Sequence, residues 1–151
     1  MPLFLLLACA EAPSLPEGAD RYDVTVTATD DTCHDTMEPY EERVDYAIFL
    51  RGRSADLYVG EQLFATGAID GCDLSYQTAV YNNDTQSDGN VKWRLFGTAT
   101  LDRGDDSCVD GEADWEGEEV FEVVDAPSDT IEPGCTYTLT TTGVVVRGTS
   151  G

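Results

Sequence analysis

Apolar and polar residues alternate along most of this chain, and that period of two commits it to β-strands. Successive side chains of a strand point to opposite faces, so strict alternation marks a sheet with one dry face and one wet face. Tyr22, Val24, Val26 and Ala28 alternate with Asp23, Thr25, Thr27 and Thr29. Leu74, Tyr76 and Val80 alternate with Asp73, Ser75 and Gln77. Val91, Trp93, Leu95, Gly97, Ala99 and Leu101 alternate with Lys92, Arg94, Thr98 and Thr100. Residues 44–51 are apolar and β-prone. Residues 55–59 and 62–69 read as a hairpin about Gly60-Glu61, after a turn at Gly52-Arg53-Ser54, and Asp70-Gly71 marks the next hairpin turn. Residues 72–81 and 91–101 form the clearest pair, with Asp88-Gly89 as the turn signal between them. A strand over 108–124, broken by Gly111 and Gly117, is followed by a loop over 126–134 holding Pro127 and Pro133. The last strand runs over 135–147. Residues 34–45 are polar, contain Pro39, and predict a long connection with room for one helical turn.

Eight such strands, joined mostly by short turns, predict an all-β fold. Short turns make sequential neighbours antiparallel. An eight-stranded meander can close into a barrel, which removes both exposed edges. The expected architecture is therefore a single antiparallel meander closed into an eight-stranded β-barrel, with a β-sandwich as the alternative. Hydrophobic residues make up 41% of the chain, enough for a core, and residues 22–148 have the length of one domain.

The N-terminus has a different character. An apolar run over residues 2–8 ends in Leu6-Leu7-Ala8-Cys9 and leads into a polar segment carrying Pro13, Pro16 and Gly18. The run is far too short to cross a bilayer as a helix, and reads as the core of a signal peptide. No Lys or Arg precedes it. Leu6-Leu7-Ala8-Cys9 resembles the lipobox of bacterial lipoproteins, in which the cysteine is acylated and becomes the first residue of the mature protein. The resemblance implies a signal peptide over 1–8, a lipidated Cys9 with a flexible tether over 9–21, and a membrane partner reached through the lipid. It implies a cell-envelope location. Ala10 stands where Asp commonly signals inner-membrane retention, so sorting to the outer membrane, facing periplasm or cell surface, stays open.

With Cys9 assigned to the lipid, Cys33, Cys72, Cys108 and Cys135 remain. Their wide spacing suggests two disulfides in an oxidising compartment. A four-cysteine zinc site is disfavoured, because zinc ligands come as close pairs and none is present. Strand parity selects the partners. If the first strand runs up, Cys33 follows its top end and Cys135 opens the last strand at the top. Closure makes those strands neighbours. Cys72 and Cys108 both fall at the bottom of neighbouring strands. The expected bridges are Cys33–Cys135 and Cys72–Cys108.

Thirty acidic residues against eight basic ones give a net charge of −22. Such a chain repels nucleic acid and anionic headgroups, which excludes both as expected partners. Calcium or a cationic partner would be attracted. The run Gly67-Ala68-Ile69-Asp70-Gly71-Cys72-Asp73-Leu74-Ser75-Tyr76, with Trp93-Arg94-Leu95-Phe96-Gly97-Thr98-Ala99, Asp114-Trp115-Glu116-Gly117-Glu118-Glu119 and Gly134-Cys135-Thr136-Tyr137, resembles paralogous, uncharacterised lipoproteins of myxobacteria and their relatives. These motifs are turn glycines, cysteines and aromatics, so the resemblance implies structure and carries over no catalytic residue.

Chemistry-bearing motifs are sparse. His34 is the only histidine and sits beside a disulfide cysteine in a polar loop, which reads as a solvated loop residue rather than a catalytic base. No G-x-S-x-G, H-E-x-x-H, P-loop or G-x-G-x-x-G occurs. The acidic stretch 102–119 and the segment 84–89 hold the calcium candidates Asp84, Asp88, Asp105, Asp106 and Asp110. The second segment resembles half of an EF-hand loop, but Leu95 stands where its bidentate Glu belongs. A solvated charged rim is the favoured reading of both, with no cofactor expected. Arg103-Gly104-Asp105 and Asn83-Asp84-Thr85 match an adhesion tripeptide and a glycosylation sequon, and both arise readily by chance. Tyr22, Tyr76, Trp93, Phe121 and Tyr137 fall on dry faces. Inward aromatics of that size favour a filled barrel over a lipocalin-like pocket for an apolar ligand.

These observations favour a non-enzymatic, lipid-anchored envelope protein with a binding or structural barrel, its protein or small-molecule partner unspecified. A calcium-dependent binding module is the alternative. A hydrolase working through paired carboxylates is the least supported.

Overall fold

The computed structural model describes residues 15–82, 91–103, 107–126 and 131–146. Its strands are β1 (Asp20–Asp31), β2 (Glu41–Arg51), β3 (Ser54–Val59), β4 (Gln62–Asp70), β5 (Asp73–Gln77), β6 (Tyr81–Asn82), β7 (Lys92–Leu101), β8 (Trp115–Asp125) and β9 (Thr136–Val145). The described residues contain no helix. All strand pairs are antiparallel, in the order β5-β4-β3-β2-β1-β9-β8-β7-β6, with β5 also paired to β7. That last pairing turns the sheet into a closed ring of eight strands, with β6 a two-residue continuation of the β5 side. Closure excludes the sandwich.

Three connections are two-residue turns that begin with glycine: Gly52-Arg53, Gly60-Glu61 and Gly71-Cys72. Each glycine has φ near +60°, the backbone that hairpin turns need in order to match strand twist. The meander itself is thus written into local turn chemistry.

Both disulfides join the expected partners. Cys33–Cys135 links the end of β1 to the start of β9, with Cα atoms 5.1 Å apart. Cys72–Cys108 ties the β4–β5 turn to the β7–β8 connection, with Cα atoms 6.3 Å apart. Strand direction puts the two bridges at opposite ends of the barrel. Around Cys33–Cys135, the buried residues Val91, Trp93, Val123 and Ile131 form a small second core.

Three expectations need correction. The strand expected over 108–124 starts only at Trp115. Asp102 Oδ1 accepts the backbone N–H groups of Cys108 at 2.5 Å and Val109 at 2.7 Å, which holds the chain in a loop. The strand expected over 72–81 breaks after Gln77. The N–H of Leu95 donates to Thr78 Oγ1 at 3.0 Å, and residues 78–80 oppose only 94 and 95 before pairing resumes at Tyr81 and Trp93. One extra residue makes this a bulge, and the bulge exposes Val80, expected on the dry face. Lastly, the connection after β1 makes no helical turn, and β2 begins at Glu41.

The loop lengths predict the worth of each bridge. In the chain-entropy account, Cys33–Cys135, spanning 102 residues, stabilises by about 4–5 kcal/mol. Cys72–Cys108, spanning 36, stabilises by about 4 kcal/mol. Denaturant unfolding of the two double-serine variants should show losses of that order, larger for the Cys33/Cys135 pair. Non-reducing peptide mapping that joined Cys33 to Cys72 would contradict the fold.

Candidate functional site

The chemically distinctive place in this barrel is its bore. On β8 the side chains of Trp115, Gly117, Glu119, Phe121 and Val123 share the inward parity. Trp115 is fully buried, and its ring lies 5.4 Å from that of Tyr22, 5.6 Å from Tyr46 and 6.4 Å from Tyr76. Its indole N–H donates to Thr141 Oγ1 at 2.8 Å. Trp115 thus packs inside the ring against three tyrosines.

Beside it lies Glu119, only 1% exposed. The hydroxyls of Tyr46 and Tyr76 both donate to its Oε1, at 2.8 and 2.6 Å. One carboxyl group on β8 thereby holds β2 and β5 from inside the barrel. No cation faces it among the described residues. Burial pushes the Glu119 pKa up, and the hydrogen bonds from Tyr76 and Tyr46 pull it down without cancelling the rise. Burial, then the nearby Glu119 charge, pushes Tyr46 and Tyr76 far above the ordinary phenol value. Tyr81 is pushed up to about 12 by the same two causes.

Glycine makes this arrangement possible. In the β7–β8 register Gly97 lies opposite Glu119, and in the β5–β7 register opposite Tyr76. A Cβ on Gly97 would sit 2.1 Å from the Tyr76 ring. The tyrosine therefore lies across the bare backbone of β7 to reach the carboxyl group.

Sequence reading assigned Glu119 to a solvated acidic rim, and that is corrected here. The signal for it was parity: counting by twos from Trp115 to Val123 puts Glu119 inside. Tyr46 and Thr141 follow from the same count on β2 and β9. Of the residues singled out earlier, Tyr22, Tyr76 and Trp93 are buried, and Phe121 and Tyr137 pack partly buried against the cores. The side chain of His34 is 42% exposed, and its Nδ1 lies 2.8 Å from Asp31 Oδ2. Asp110 is exposed. Cys9, Asp84, Asp88, Asp105 and Asp106 lie outside the described residues, as do Gly104 of the tripeptide and the whole sequon Asn83-Asp84-Thr85. Among the described residues no group of three or more His, Cys, Asp or Glu side chains is placed to hold a metal.

The outer wall carries a shallow groove of about 610 Å³ against β4, β5, β7 and β8. Asp70, Asp73, Glu116 and Glu118 line it, with Arg53 the one cation among its lining residues. No family model matches this chain, and neither a curated protein nor a solved structure does.

The Gly97→Ala substitution tests the geometry. Forcing a methyl group into the Tyr76 ring should cost about 1–3 kcal/mol by overpacking, read as a lower denaturant midpoint. An unchanged midpoint would show that the ring lies elsewhere.

Proposed function

We propose that this protein is lipid-anchored in the bacterial cell envelope and that its barrel is a non-catalytic binding or structural domain. The observation that carries the reading is the polarity of the wall. Outward positions hold Asp23, Thr25 and Thr27 on β1, Thr98 and Thr100 on β7, Glu116, Glu118 and Glu122 on β8, and Thr138, Thr140 and Thr142 on β9. A barrel that spans a membrane needs the reverse, an apolar belt outside. No helix among the described residues is long and apolar enough to cross a membrane. A domain with a polar outer wall needs a separate device to stay at a membrane, and Leu6-Leu7-Ala8-Cys9 resembles one.

The interior supports the non-catalytic part. A general acid or base must reach its substrate, and Glu119, whose pKa burial pushes up, is only 1% exposed. Tyr22, Tyr46, Tyr76 and Thr141 occupy the surroundings of the indole, which disfavours an apolar ligand there. Recognition falls to the outer wall, where charge favours cationic partners over nucleic acid.

Fractionation of a bacterial host tests the anchor. The wild-type chain should appear in membranes and take up labelled fatty acid, and Cys9→Ser should move it to the soluble fraction. A soluble, unlabelled wild type would refute the anchor. Added calcium should leave the melting temperature unchanged; a rise that saturates would favour the calcium-dependent module instead.

A further inference from the structure

We infer that Glu119 is a pH-operated clamp: while neutral it fastens β2 and β5 to β8 across a dry bore, and its ionisation loosens the wall beside β5. The inference is independent of where the protein is anchored.

The groups that face the carboxyl group define its response. From β2 comes the Tyr46 hydroxyl and from β5 the Tyr76 hydroxyl, both on Oε1. From β6 comes Tyr81, whose hydroxyl feels the Glu119 charge. On β7 the opposing residue is Gly97, which offers no side chain. On β9 the nearest register partner is Leu139, which is apolar. On β8 itself Trp115 and Phe121 share the inward face. None of these groups carries a positive charge. An ionised carboxylate here gains two stronger hydrogen bonds, yet it is only 1% exposed to bulk solvent and has no counter-ion among the groups that face it. Burying a charge without a partner is unfavourable, and the relief open to it is water.

The wall offers water a place to enter next to Tyr76. The β5–β7 ladder stops at Gln77 and Phe96, and β6 resumes it for two residues only. Between them the Leu95 N–H is held by a threonine hydroxyl instead of a backbone carbonyl. The β1–β9 and β7–β8 ladders are longer, and their register shifts lie at Ala28/Asp30 and Lys92/Trp93, away from Glu119 in the register. The Thr78 N–H still donates to the Leu95 carbonyl at 3.1 Å, so this bulged stretch, one backbone rung short, lies beside the group whose ionisation most needs water.

The sign follows from linkage. A carboxyl group whose folded pKa is raised lends stability that is fully present below its unfolded pKa, near 4.3, and is lost as pH rises through the folded value. The wild type should accordingly lose melting temperature relative to Glu119→Gln as pH rises. Gln keeps a carbonyl acceptor for both tyrosines and cannot ionise.

Carbon-13 NMR of the glutamate side chains, with amide hydrogen exchange from acid to mildly alkaline pH, tests the clamp on the intact chain. Glu119 should titrate above the other glutamates. Across that midpoint the Leu95 and Tyr76 amides should exchange faster than the intrinsic base-catalysed rise, and in Glu119→Gln they should follow the intrinsic rise alone. Tyr76→Phe, which removes a bond that favours the charged form, should move the Glu119 midpoint higher still. A Glu119 that titrates with the surface glutamates overturns the proposal. So does exchange at Leu95 with the same pH dependence in wild type and Glu119→Gln. Should Glu119→Gln fail to fold, the wild-type and Tyr76→Phe titrations decide alone: a midpoint that does not rise in Tyr76→Phe overturns the clamp.

Discussion

Two tyrosine hydroxyls solvate a carboxyl group inside a barrel that gives it no cation, and the interior is organised around that contact. The arrangement needs an inward Glu119 on β8, phenols long enough to cross from β2 and β5, and bare backbone at Gly97 for the Tyr76 ring to lie on. Trp115, fully buried, packs against both phenols that reach the carboxyl group. Replacing a buried aromatic of this size by Ala typically costs about 3–5 kcal/mol. Tyr22 and Tyr46, with ring centroids 5.4 and 5.6 Å from that of Trp115, add the further attraction of edge-on aromatic pairs.

Much of the frame was legible in the chain because its signals are local. A glycine opening each two-residue turn dictates a hairpin, and a run of hairpins dictates an antiparallel meander. The disulfide pairing followed from parity, which puts Cys33 with Cys135 and Cys72 with Cys108 at shared ends, and from closure, which makes the strands of Cys33 and Cys135 neighbours. What escaped was longer-range. In Glu118-Glu119 two identical residues sit side by side, and composition treats them alike. Only the strand parity set by Trp115 sends one outward and the other into the bore. The Thr78 bulge was hidden for a similar reason: a threonine side chain replacing one rung of a ladder leaves no mark in the alternation, yet it turns Val80 outward. Asp102 shortened β8 by capping two backbone N–H groups six and seven residues further on, a contact that exists only once the chain has folded back.

The functional reading follows from where polarity was placed. The outward positions of the wall are mostly acidic or threonine, broken by Phe96, Val124 and Val144, and under the proposed reading that surface is what the domain offers a partner, with one bridge near each end of the barrel. The proposed anchor at Cys9 complements that design. It would hold at a membrane a domain whose outward positions are mostly polar, with the polar, proline-containing segment after Cys9 as spacer.

The account turns on a dry bore, and the hydroxyl protons of Tyr46 and Tyr76 report on it directly. In a sealed interior, hydrogen-bonded to Glu119, they exchange slowly enough with solvent to be seen by proton NMR at mildly acidic pH, with nuclear Overhauser contacts to the Trp115 ring. Two such resonances are the predicted result. Hydroxyl protons lost to rapid exchange with water at the pH where the barrel is most stable would contradict it, because Glu119 would then be solvated and the bore open.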